Sequence, residues 1–275
     1  EEVVVRFSGD SGDGMQLAGN IFSNVSAGIG DEISTFPDYP AEIRAPQGTL
    51  GGVSGFQVHI GKGVHTPGDL ADVLVAMNPA ALKTNARYVK KGGVVIIDSD
   101  SFRASDLEKA AFTTDDPIQE AGLSHAQIVP VAITQMVKDS LADSGLDNKS
   151  IVRCKNMFAL GLVCWLFDRP LEQAQHLLKN KFAKKPAIYE ANAKVMRDGY
   201  NYGNNIHASV STYRVESAQV KPGIYTDVNG NTATAWGLIA ASEKSGLPLF
   251  LGSYPITPAT DILHELAKRK DLGVK

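Results

Sequence analysis

The segment from Gly252 to Thr260 combines the residue types best suited to bind a small anion. It follows the apolar run Leu247–Leu251, which predicts a strand. Thr257 is a good N-cap and Pro258 suits the first helical position, so a helix is predicted to begin here. Free amides at such a helix start, beyond the carboxyl end of a strand, favour a substrate carboxylate. Taken alone, the spacing favours an ordinary capped helix without a ligand.

A second candidate is the loop Gly9-Asp10-Ser11-Gly12-Asp13-Gly14, which fits G-x-x-G-x-G between a predicted strand and a predicted helix. Glycines at such a turn let backbone amides approach a phosphate. The carboxylates of Asp10 and Asp13 would repel a phosphate at close range. No acidic residue about 20 positions later ends a second strand as a ribose ligand would. A nucleotide-like or coenzyme A contact and a tight turn without a ligand both stay open.

The third candidate is the loop from Phe36 to Pro46, which is rich in proline and carries two acids, a tyrosine and an arginine. Loops of this composition on an α/β scaffold often serve binding. Arg44 could pair with a phosphate or a carboxylate through its planar guanidinium group. An internal pair of Arg44 with Glu42 or Asp38 is an equally good interpretation.

Other site classes are excluded by spacing. Ser11 and Ser54 lack the second glycine of a nucleophile elbow. The six histidines show no metal-ligand spacing, so no metal site is predicted. Cys154 and Cys164 cannot supply the four thiolates that an iron–sulfur cluster usually needs, so any cluster would belong to a partner.

Composition limits the partners and the compartment. The 275 residues include 27 basic and 30 acidic side chains, a net charge of −3 that offers no cationic excess for nucleic acid. Apolar runs such as Leu162–Phe167 are far shorter than the roughly 20 residues that span a bilayer. The first residues lack the basic and apolar regions of a secretory signal. Two cysteines suit a reducing compartment, and a cytoplasmic protein is predicted.

Strands must position these candidates. β-Branched and apolar runs predict strands that alternate with helices and form a largely parallel α/β sheet. The predicted strands are Val3–Ser8, Ile33–Phe36, Val53–Ile60, Val73–Ala76, Val94–Ile97 and Ile128–Val131. Helices are predicted at Met15–Ala27 and from Pro79. From Lys149 to about Asn205 the pattern is helical, with Pro170 and Pro186 at new helix starts, which indicates a helical appendage.

The composition divides the chain into residues 1–206, a polar linker at 207–227 and residues 228–275. In the last part, helices are predicted at 230–241 and 258–270 around the single strand Leu247–Leu251. One strand cannot pair its backbone or bury its faces, so either another chain completes this part or the chain has been cut, and a cut is the favoured interpretation.

Several long segments together resemble one family. The Tyr-Pro-Ile-Thr-Pro stretch within Gly252–Pro258 is similar to the signature of the alpha subunit of 2-oxoacid:ferredoxin oxidoreductases. Four further stretches resemble the same subunit in the order expected when the family's gamma domain precedes its alpha domain: Ser8–Gly14, Phe36–Pro46, Val75–Leu82 and Lys155–Gly161. The resemblance covers nearly the whole chain and is greatest to the 2-oxoglutarate type. It implies an α/β fold with a Rossmann-like gamma domain at 1–206 bearing the helical appendage, and the incomplete start of a thiamine-pyrimidine-type domain at 228–275.

The resemblance also implies a chemistry. Members of the family decarboxylate a 2-oxoacid on thiamine diphosphate, pass electrons through iron–sulfur clusters to ferredoxin and transfer the acyl group to coenzyme A. The substrate carboxylate would contact Thr257, with Tyr254 of the same signature beside it. Coenzyme A would contact the glycine loop and the proline-rich loop, at Gly9, Ser11, Gly12, Gly14 and Arg44.

The remaining groups are expected on a partner. A beta subunit would hold thiamine diphosphate, Mg²⁺ and a [4Fe-4S] cluster, and the assembly would be a dimer of heterodimers that reduces ferredoxin. The acid that activates the thiamine aminopyrimidine would follow Lys275, so no catalytic residue is predicted within these 275 residues. The rival interpretations are a sister activity on pyruvate or branched-chain 2-oxoacids and a non-catalytic nucleotide-binding assembly protein.

Overall fold

The six predicted strands form one sheet in the order β2-β3-β1-β4-β5-β6. β1 pairs in parallel with β4, β4 with β5 and β5 with β6, whereas β3 runs antiparallel to both of its neighbours. The predicted largely parallel α/β sheet is therefore confirmed, with β3 as the reversed strand. The strands are β1 Val3–Asp10, β2 Glu32–Asp38, β3 Val53–Gly61, β4 Ala71–Ala76, β5 Val89–Asp98 and β6 Gln127–Val131.

The computed structural model describes residues 2–40, 45–206, 210, 212–218 and 220–275. It comprises two units, a first unit Glu1–Val220 and a second unit Lys221–Lys275. The helices of the first unit are α1 Met15–Gly28, α2 Pro79–Asn85, α3 Ala104–Lys109, α4 Pro117–Glu120, α5 Ile133–Ser140, α6 Asn148–Val152, α7 Lys155–Leu166, α8 Leu171–Lys181 and α9 Pro186–Ile206. Those of the second unit are α10 Gly230–Ser245 and α11 Thr260–Ala267.

The boundary between the units lies within the predicted linker 207–227, but described parts of that segment bond to the first unit. Tyr213 donates its hydroxyl to the carbonyl of Asp72 at 3.0 Å, and the Ala218 amide donates to the carbonyl of Gly30 at 2.9 Å. A buried ring stack of Tyr213 on Phe167, with centroids 5.0 Å apart, adds apolar contact. The segment up to Val220 is thus part of the first unit, and the identity of the two units as gamma and pyrimidine-binding domains stays a prediction.

The turn between β1 and α1 places the glycine loop against the helical appendage. β1 continues two residues beyond the predicted end because Gly9 and Asp10 pair with Ser54 and Val53. Gly14 has a φ of 75°, and a Cβ there would lie 2.2 Å from Nδ2 of Asn156 near the start of α7. The amide group of Asn156 donates to the Gly14 carbonyl at 3.2 Å. A side chain at position 14 would displace the Asn156 amide group and break its hydrogen bond to the Gly14 carbonyl.

The appendage is held by a backbone crossing of α7 and α9. A Cβ on Gly161 would lie 1.9 Å from the Met196 carbonyl oxygen, and one on Gly199 would lie 2.0 Å from the Phe158 carbonyl oxygen. Both helices therefore touch without side chains between them. α7 is buried along nearly its whole length, which explains its apolar sequence on every face.

A buried ion pair joins the end of α1 to the segment after α7. Arg169 Nη2 lies 2.6 Å from Asp31 Oδ2, and the two side chains are 3 % and 0 % exposed. Oδ1 of Asp31 and Nε of Arg169 have no hydrogen-bond partner among the described atoms. The ion pair is therefore removed from solvent, but part of its hydrogen-bonding capacity is unused.

The second unit differs from its prediction in two places. Residues 247–251 were predicted as a strand, and this is wrong: they are not assigned as strand, and the described backbone bonds of 249 and 251 reach only Lys275, at 3.0 and 2.7 Å. A β ladder needs a neighbouring strand, and the described residues of this unit contain none. The second helix is shorter than predicted, Thr260–Ala267 instead of 258–270. The small apolar cluster comprises Ala235, Ile239, Leu266 and Val274, packed by Leu249, Leu251 and Ile262.

Gly14→Ala should destabilise the first unit by about 2 kcal/mol or more, because the new methyl group meets Asn156 and the positive φ disfavours a Cβ. Gly12→Ala is the matched control, since its Cβ would meet nothing within 4 Å. Urea unfolding of both variants measures the difference. Equal stability of the two variants would contradict the packing role of Gly14.

Replacing one member of the buried ion pair, by Asp31→Leu or by Arg169→Met, should cost about 3–5 kcal/mol, because the remaining charge is left without a partner in the interior. The double variant should cost clearly less than the sum of the singles. A double-mutant cycle in chemical denaturation measures the coupling. Additive losses would show that the two charges do not stabilise each other.

Candidate functional site

A cleft opens where the parallel strands end. β1 ends at Asp10, β4 is followed by Asn78, and Ser101 and Arg103 follow β5. Asn78 starts α2 by accepting the Ala81 amide at 2.8 Å. Ligands of open α/β sheets bind beyond the carboxyl ends of the strands. This edge is therefore the candidate site of the first unit.

The cleft has two lobes that share the side chains of Asp10, Asp13, Gln47 and Lys155. The first lobe has a volume of about 250 Å³, and the second has about 420 Å³. The first lobe is completed by Gly48, Asn78, Pro79, Ser101, Arg103, Asp106 and Lys109. The second lobe is completed by Gly12, Asn148, Lys149, Val152 and Arg153.

The wall shared by the two lobes carries the carboxylates of Asp10 and Asp13, and both accept hydrogen bonds from backbone amides. Both oxygens of Asp10 accept the Gly48 amide, at 3.1 and 3.0 Å. Burial raises the pKa of the Asp10 carboxyl above its usual value, and the hydrogen bond from Gly48 opposes that shift. Asp13 accepts the Asp10 amide at 3.0 Å and lies 3.7 Å from Nζ of Lys155. The two acids are thus occupied by amides and by one lysine.

Lys155 is the central cation of the cleft. Its side chain is only 12 % exposed, and it stands at the first position of α7. α7 is seated by the contact of Asn156 with Gly14, so the position of Lys155 follows from that packing. This half-buried ammonium group pairs with Asp13, so the wall that they share carries charges of both signs.

The four loop residues predicted to contact coenzyme A fall in different surroundings. The Ser11 amide donates to the Gly52 carbonyl at 3.1 Å, and a Cβ on Gly9 would lie 2.9 Å from Oδ2 of Asp13. Gly14 is enclosed by Asn156. Of the four, only Gly12 lines the cleft described above. The G-x-x-G-x-G spacing is explained largely by packing, and contact of these residues with a ligand stays a prediction.

Arg44 lies outside the described residues. The loop that carries it begins at Asp38, whose carboxylate pairs with the buried guanidinium of Arg6 at 2.5 Å. Gln16 donates to the Asp38 carbonyl at 3.2 Å and to the Gly55 carbonyl at 2.6 Å. The start of the proline-rich loop is therefore anchored to the sheet.

Several lining residues were not predicted from the sequence. Asn148, Lys149 and Arg153 come from α6 and the residue that follows it, and Arg103 and Lys109 from the segment after β5. The spacing of Lys149 and Arg153 carried a usable signal, since residues four apart share a helix face. This helix face meets the turn after β1 only through the tertiary fold, and no local sequence pattern shows that contact.

The predicted carboxylate site at Thr257 has a different geometry from the expected one. Thr257 is not the N-cap: α11 begins three residues later, at Thr260, after a turn at 257–259. The amides of residues 260, 261 and 262 donate to the carbonyls of Ile256, Pro258 and Ala259 at 2.9, 3.2 and 3.0 Å. The expectation of free amides at this helix start is therefore wrong, because the turn already uses them.

The signature itself is open to solvent. Tyr254 is 78 % exposed and Thr257 is also exposed. Asn231 near the start of α10 donates to the Pro258 carbonyl at 3.0 Å and so ties the turn to that helix. What this segment can offer a ligand is the hydroxyl groups of Tyr254 and Thr257.

Within the described ranges, no group of three His, Cys, Asp or Glu side chains could hold a metal ion. Burial raises the pKa of the Cys154 thiol to about 11 and that of Cys164 to about 12, so both remain protonated near neutral pH. Of the helices described, none is long and apolar enough to cross a bilayer.

Comparison with known proteins places this architecture among the 2-oxoacid oxidoreductases. The chain is 48 % identical over all 275 residues to the 2-oxoglutarate oxidoreductase subunit KorA of Mycobacterium tuberculosis, and spans 42 % of that protein's length. It is 26 % identical over 202 residues to the common gamma subunit of the pyruvate/ketoisovalerate oxidoreductases of Thermococcus kodakarensis, covering 72 % of this chain and 96 % of that subunit.

The fold is also that of a solved enzyme. The 2-oxoglutarate:ferredoxin oxidoreductase of Magnetococcus marinus superposes on the whole chain with a TM-score of 0.74 at 24 % identity, and the chain spans 42 % of its length. The family model for pyruvate ferredoxin/flavodoxin oxidoreductase matches residues 4–202. With its sheet, its cleft at the strand ends and this match, the chain belongs to the pyruvate ferredoxin/flavodoxin oxidoreductase family.

Proposed function

We propose that this chain works within a 2-oxoglutarate:ferredoxin oxidoreductase. The reaction converts 2-oxoglutarate, coenzyme A and two oxidised ferredoxins into succinyl-CoA, CO₂, two reduced ferredoxins and a proton. The observation that carries the proposal is the 48 % identity to a 2-oxoglutarate oxidoreductase subunit, which extends through both units. The M. marinus enzyme with the same fold was solved with 2-oxoglutarate, coenzyme A and succinyl-CoA bound.

Coenzyme A is assigned to the cleft of the first unit. The ligand carries a diphosphate and a 3′-phosphate, which need cations, and the cleft is lined by Arg103, Lys109, Lys149, Arg153 and Lys155. Its place beyond the carboxyl ends of the strands is the usual ligand position of this architecture. In this proposal Gly12 lines the cleft and belongs to the same loop as the predicted contacts Gly9, Ser11 and Gly14. The predicted contact at Arg44 falls outside the described residues.

The 2-oxoacid carboxylate is assigned to the second unit at Thr257 and Tyr254. Thr257 is exposed on the turn that Asn231 holds, and Tyr254 is exposed three residues before it. Their hydroxyl groups can therefore donate to an anion without first breaking a described bond. Each neutral donor would contribute a modest amount, which suits a group that orients one end of the substrate.

Thiamine diphosphate, when bound, supplies the electron sink for the loss of CO₂. The described residues offer neither a metal-binding group nor ionised thiolates, so they do not fit Mg²⁺ or an iron–sulfur cluster. We therefore assign thiamine diphosphate, Mg²⁺ and the iron–sulfur cluster to a beta subunit. In this proposal the assembly is a dimer of heterodimers that passes electrons to ferredoxin. The role left to this chain is to bind and orient coenzyme A and the 2-oxoacid.

The complete protein, purified with the subunits that accompany it, should reduce ferredoxin with 2-oxoglutarate and coenzyme A. Its kcat/KM should be at least about 10-fold higher for 2-oxoglutarate than for pyruvate or 2-oxoisovalerate, because a second carboxylate adds a charge-assisted contact. A higher kcat/KM for pyruvate would instead indicate that the protein acts in a pyruvate oxidoreductase. Absence of turnover with every 2-oxoacid, in a preparation containing thiamine diphosphate and a cluster, would refute the proposal.

Thr257→Ala in the same preparation should lower kcat/KM for 2-oxoglutarate by about 5- to 150-fold, the equivalent of one lost hydrogen bond of about 1–3 kcal/mol. The KM for coenzyme A should not change. Thr257→Ser keeps the hydroxyl and should retain most of the activity. Thr234→Ala is a control on α10, where the hydroxyl donates to the Gly230 carbonyl at 2.8 Å. Normal 2-oxoglutarate kinetics in Thr257→Ala would remove this residue from the substrate site.

A further inference from the structure

We infer that Asn231 is a positioning residue for the 2-oxoacid: its side chain ties the turn at 257–259 to the start of α10 and so fixes where the Thr257 hydroxyl group lies. The inference rests on the proposed function, because it deepens the assignment of the substrate carboxylate to Thr257. Asn231 lies outside the Tyr-Pro-Ile-Thr-Pro signature, 27 residues before Pro258, and reaches it only through the fold.

The tie acts directly beside the proposed carboxylate contact. Nδ2 of Asn231 donates to the Pro258 carbonyl at 3.0 Å, and Pro258 follows Thr257 in the chain. The proline ring fixes φ of Pro258, so few free torsions separate that carbonyl from Thr257. Among the described residues, this is the one hydrogen bond that links the stretch 252–259 to α10. A shift of the Pro258 carbonyl would therefore move Thr257 with it.

The turn has its own internal bonds, and none of them reaches α10. The Pro258 carbonyl also accepts the Asp261 amide at 3.2 Å, and the Thr260 amide donates to the Ile256 carbonyl at 2.9 Å. These bonds remain when the side chain of Asn231 is changed. Loss of the tie should consequently leave the turn folded but free to move relative to α10, which separates a positioning role from a role in folding.

The start of α10 is a firm anchor for the tie. Asn229 caps the helix by accepting the Thr232 amide on its side chain at 2.9 Å. One helical turn beyond Asn231, Ala235 is fully buried in the apolar cluster that includes Leu266 of α11. Asn231 therefore extends from a helix end that is capped on one side and packed on the other.

The test uses the complete protein with its accompanying subunits and the variant Asn231→Asp. The new side chain has the same shape, but near neutral pH its carboxylate accepts hydrogen bonds and cannot donate one to the Pro258 carbonyl. An acid in the first turn of a helix does not weaken that helix, so the melting temperature should not fall. The kcat/KM for 2-oxoglutarate should drop by about 3- to 10-fold, and the KM for coenzyme A should stay unchanged.

A double-mutant cycle with Thr257→Ala identifies the residue through which Asn231 acts. In the Thr257→Ala background, Asn231→Asp should lower kcat/KM by less than about a further twofold, because the hydroxyl group that the tie positions is already absent. A merely structural role would cost the same factor in both backgrounds. Equal factors would overturn the inference, and so would a wild-type kcat/KM in Asn231→Asp alone.

Asn229→Ala is the matched control at the same helix start. It removes the cap on the Thr232 amide and should lower the melting temperature, but it leaves the tie to Pro258 in place. Its kcat/KM for 2-oxoglutarate should remain within about twofold of the wild-type value. A loss as large as that of Asn231→Asp would show that helix stability, and not the tie, sets the rate.

Failure of the inference differs from failure of the proposed function. Lowered turnover in Thr257→Ala together with wild-type kinetics in Asn231→Asp would remove the positioning role and keep the substrate site. Normal kinetics in Thr257→Ala would reject both the substrate contact and the residue said to position it. A wild-type preparation that oxidises no 2-oxoacid, although it contains thiamine diphosphate and a cluster, would refute the proposed function and the inference together.

Discussion

The first unit depends on close contacts that only glycine permits. Gly14 leaves room for Asn156, and Gly161 and Gly199 let α7 and α9 touch. These contacts bring the start of α7 to the edge of the sheet, where Lys155 enters the cleft. Because interiors are close-packed, a helix seated this way has little freedom to shift. The most buried part of the appendage thus sets the position of a residue in the candidate site.

The glycine loop shows how one spacing can serve two physical purposes. Glycines at a strand-to-helix turn permit the approach of a phosphate, and they equally permit the approach of another helix. Here the second purpose accounts for Gly14, and a nearby carboxylate accounts for Gly9. The acids of the loop line the cleft, where they accept hydrogen bonds from amides, and Asp13 also lies beside Lys155. Most cations that line the cleft come from other parts of the chain.

Under the proposed function, the two units would provide different kinds of recognition. The cleft of the first unit combines several full charges held by packed elements, which suits a ligand with several anionic groups. The signature in the second unit offers exposed hydroxyl groups on a short turn, which suits orientation of one end of a small acid. In an enzyme that joins an acyl group to a large cosubstrate, strong binding of the cosubstrate and precise placement of the acid are separate tasks, so their residues need not resemble each other.

The sequence by itself determined the six strands, the major helices and the family, because periodicity, prolines and long specific segments are local signals. It predicted the loop at 9–14 as part of the site edge, and the end of a strand is where such a site is expected. It did not place Thr257 correctly relative to its helix, since Thr-Pro suits an N-cap but the chain first makes a turn whose carbonyls take the amides. It also predicted a strand at 247–251, where an apolar run without a neighbouring strand forms no ladder. Only the tertiary structure decided which cations share a cleft: Lys149 and Lys155 lie more than a hundred residues from Asp13, and their meeting follows from long-range packing that no local pattern encodes.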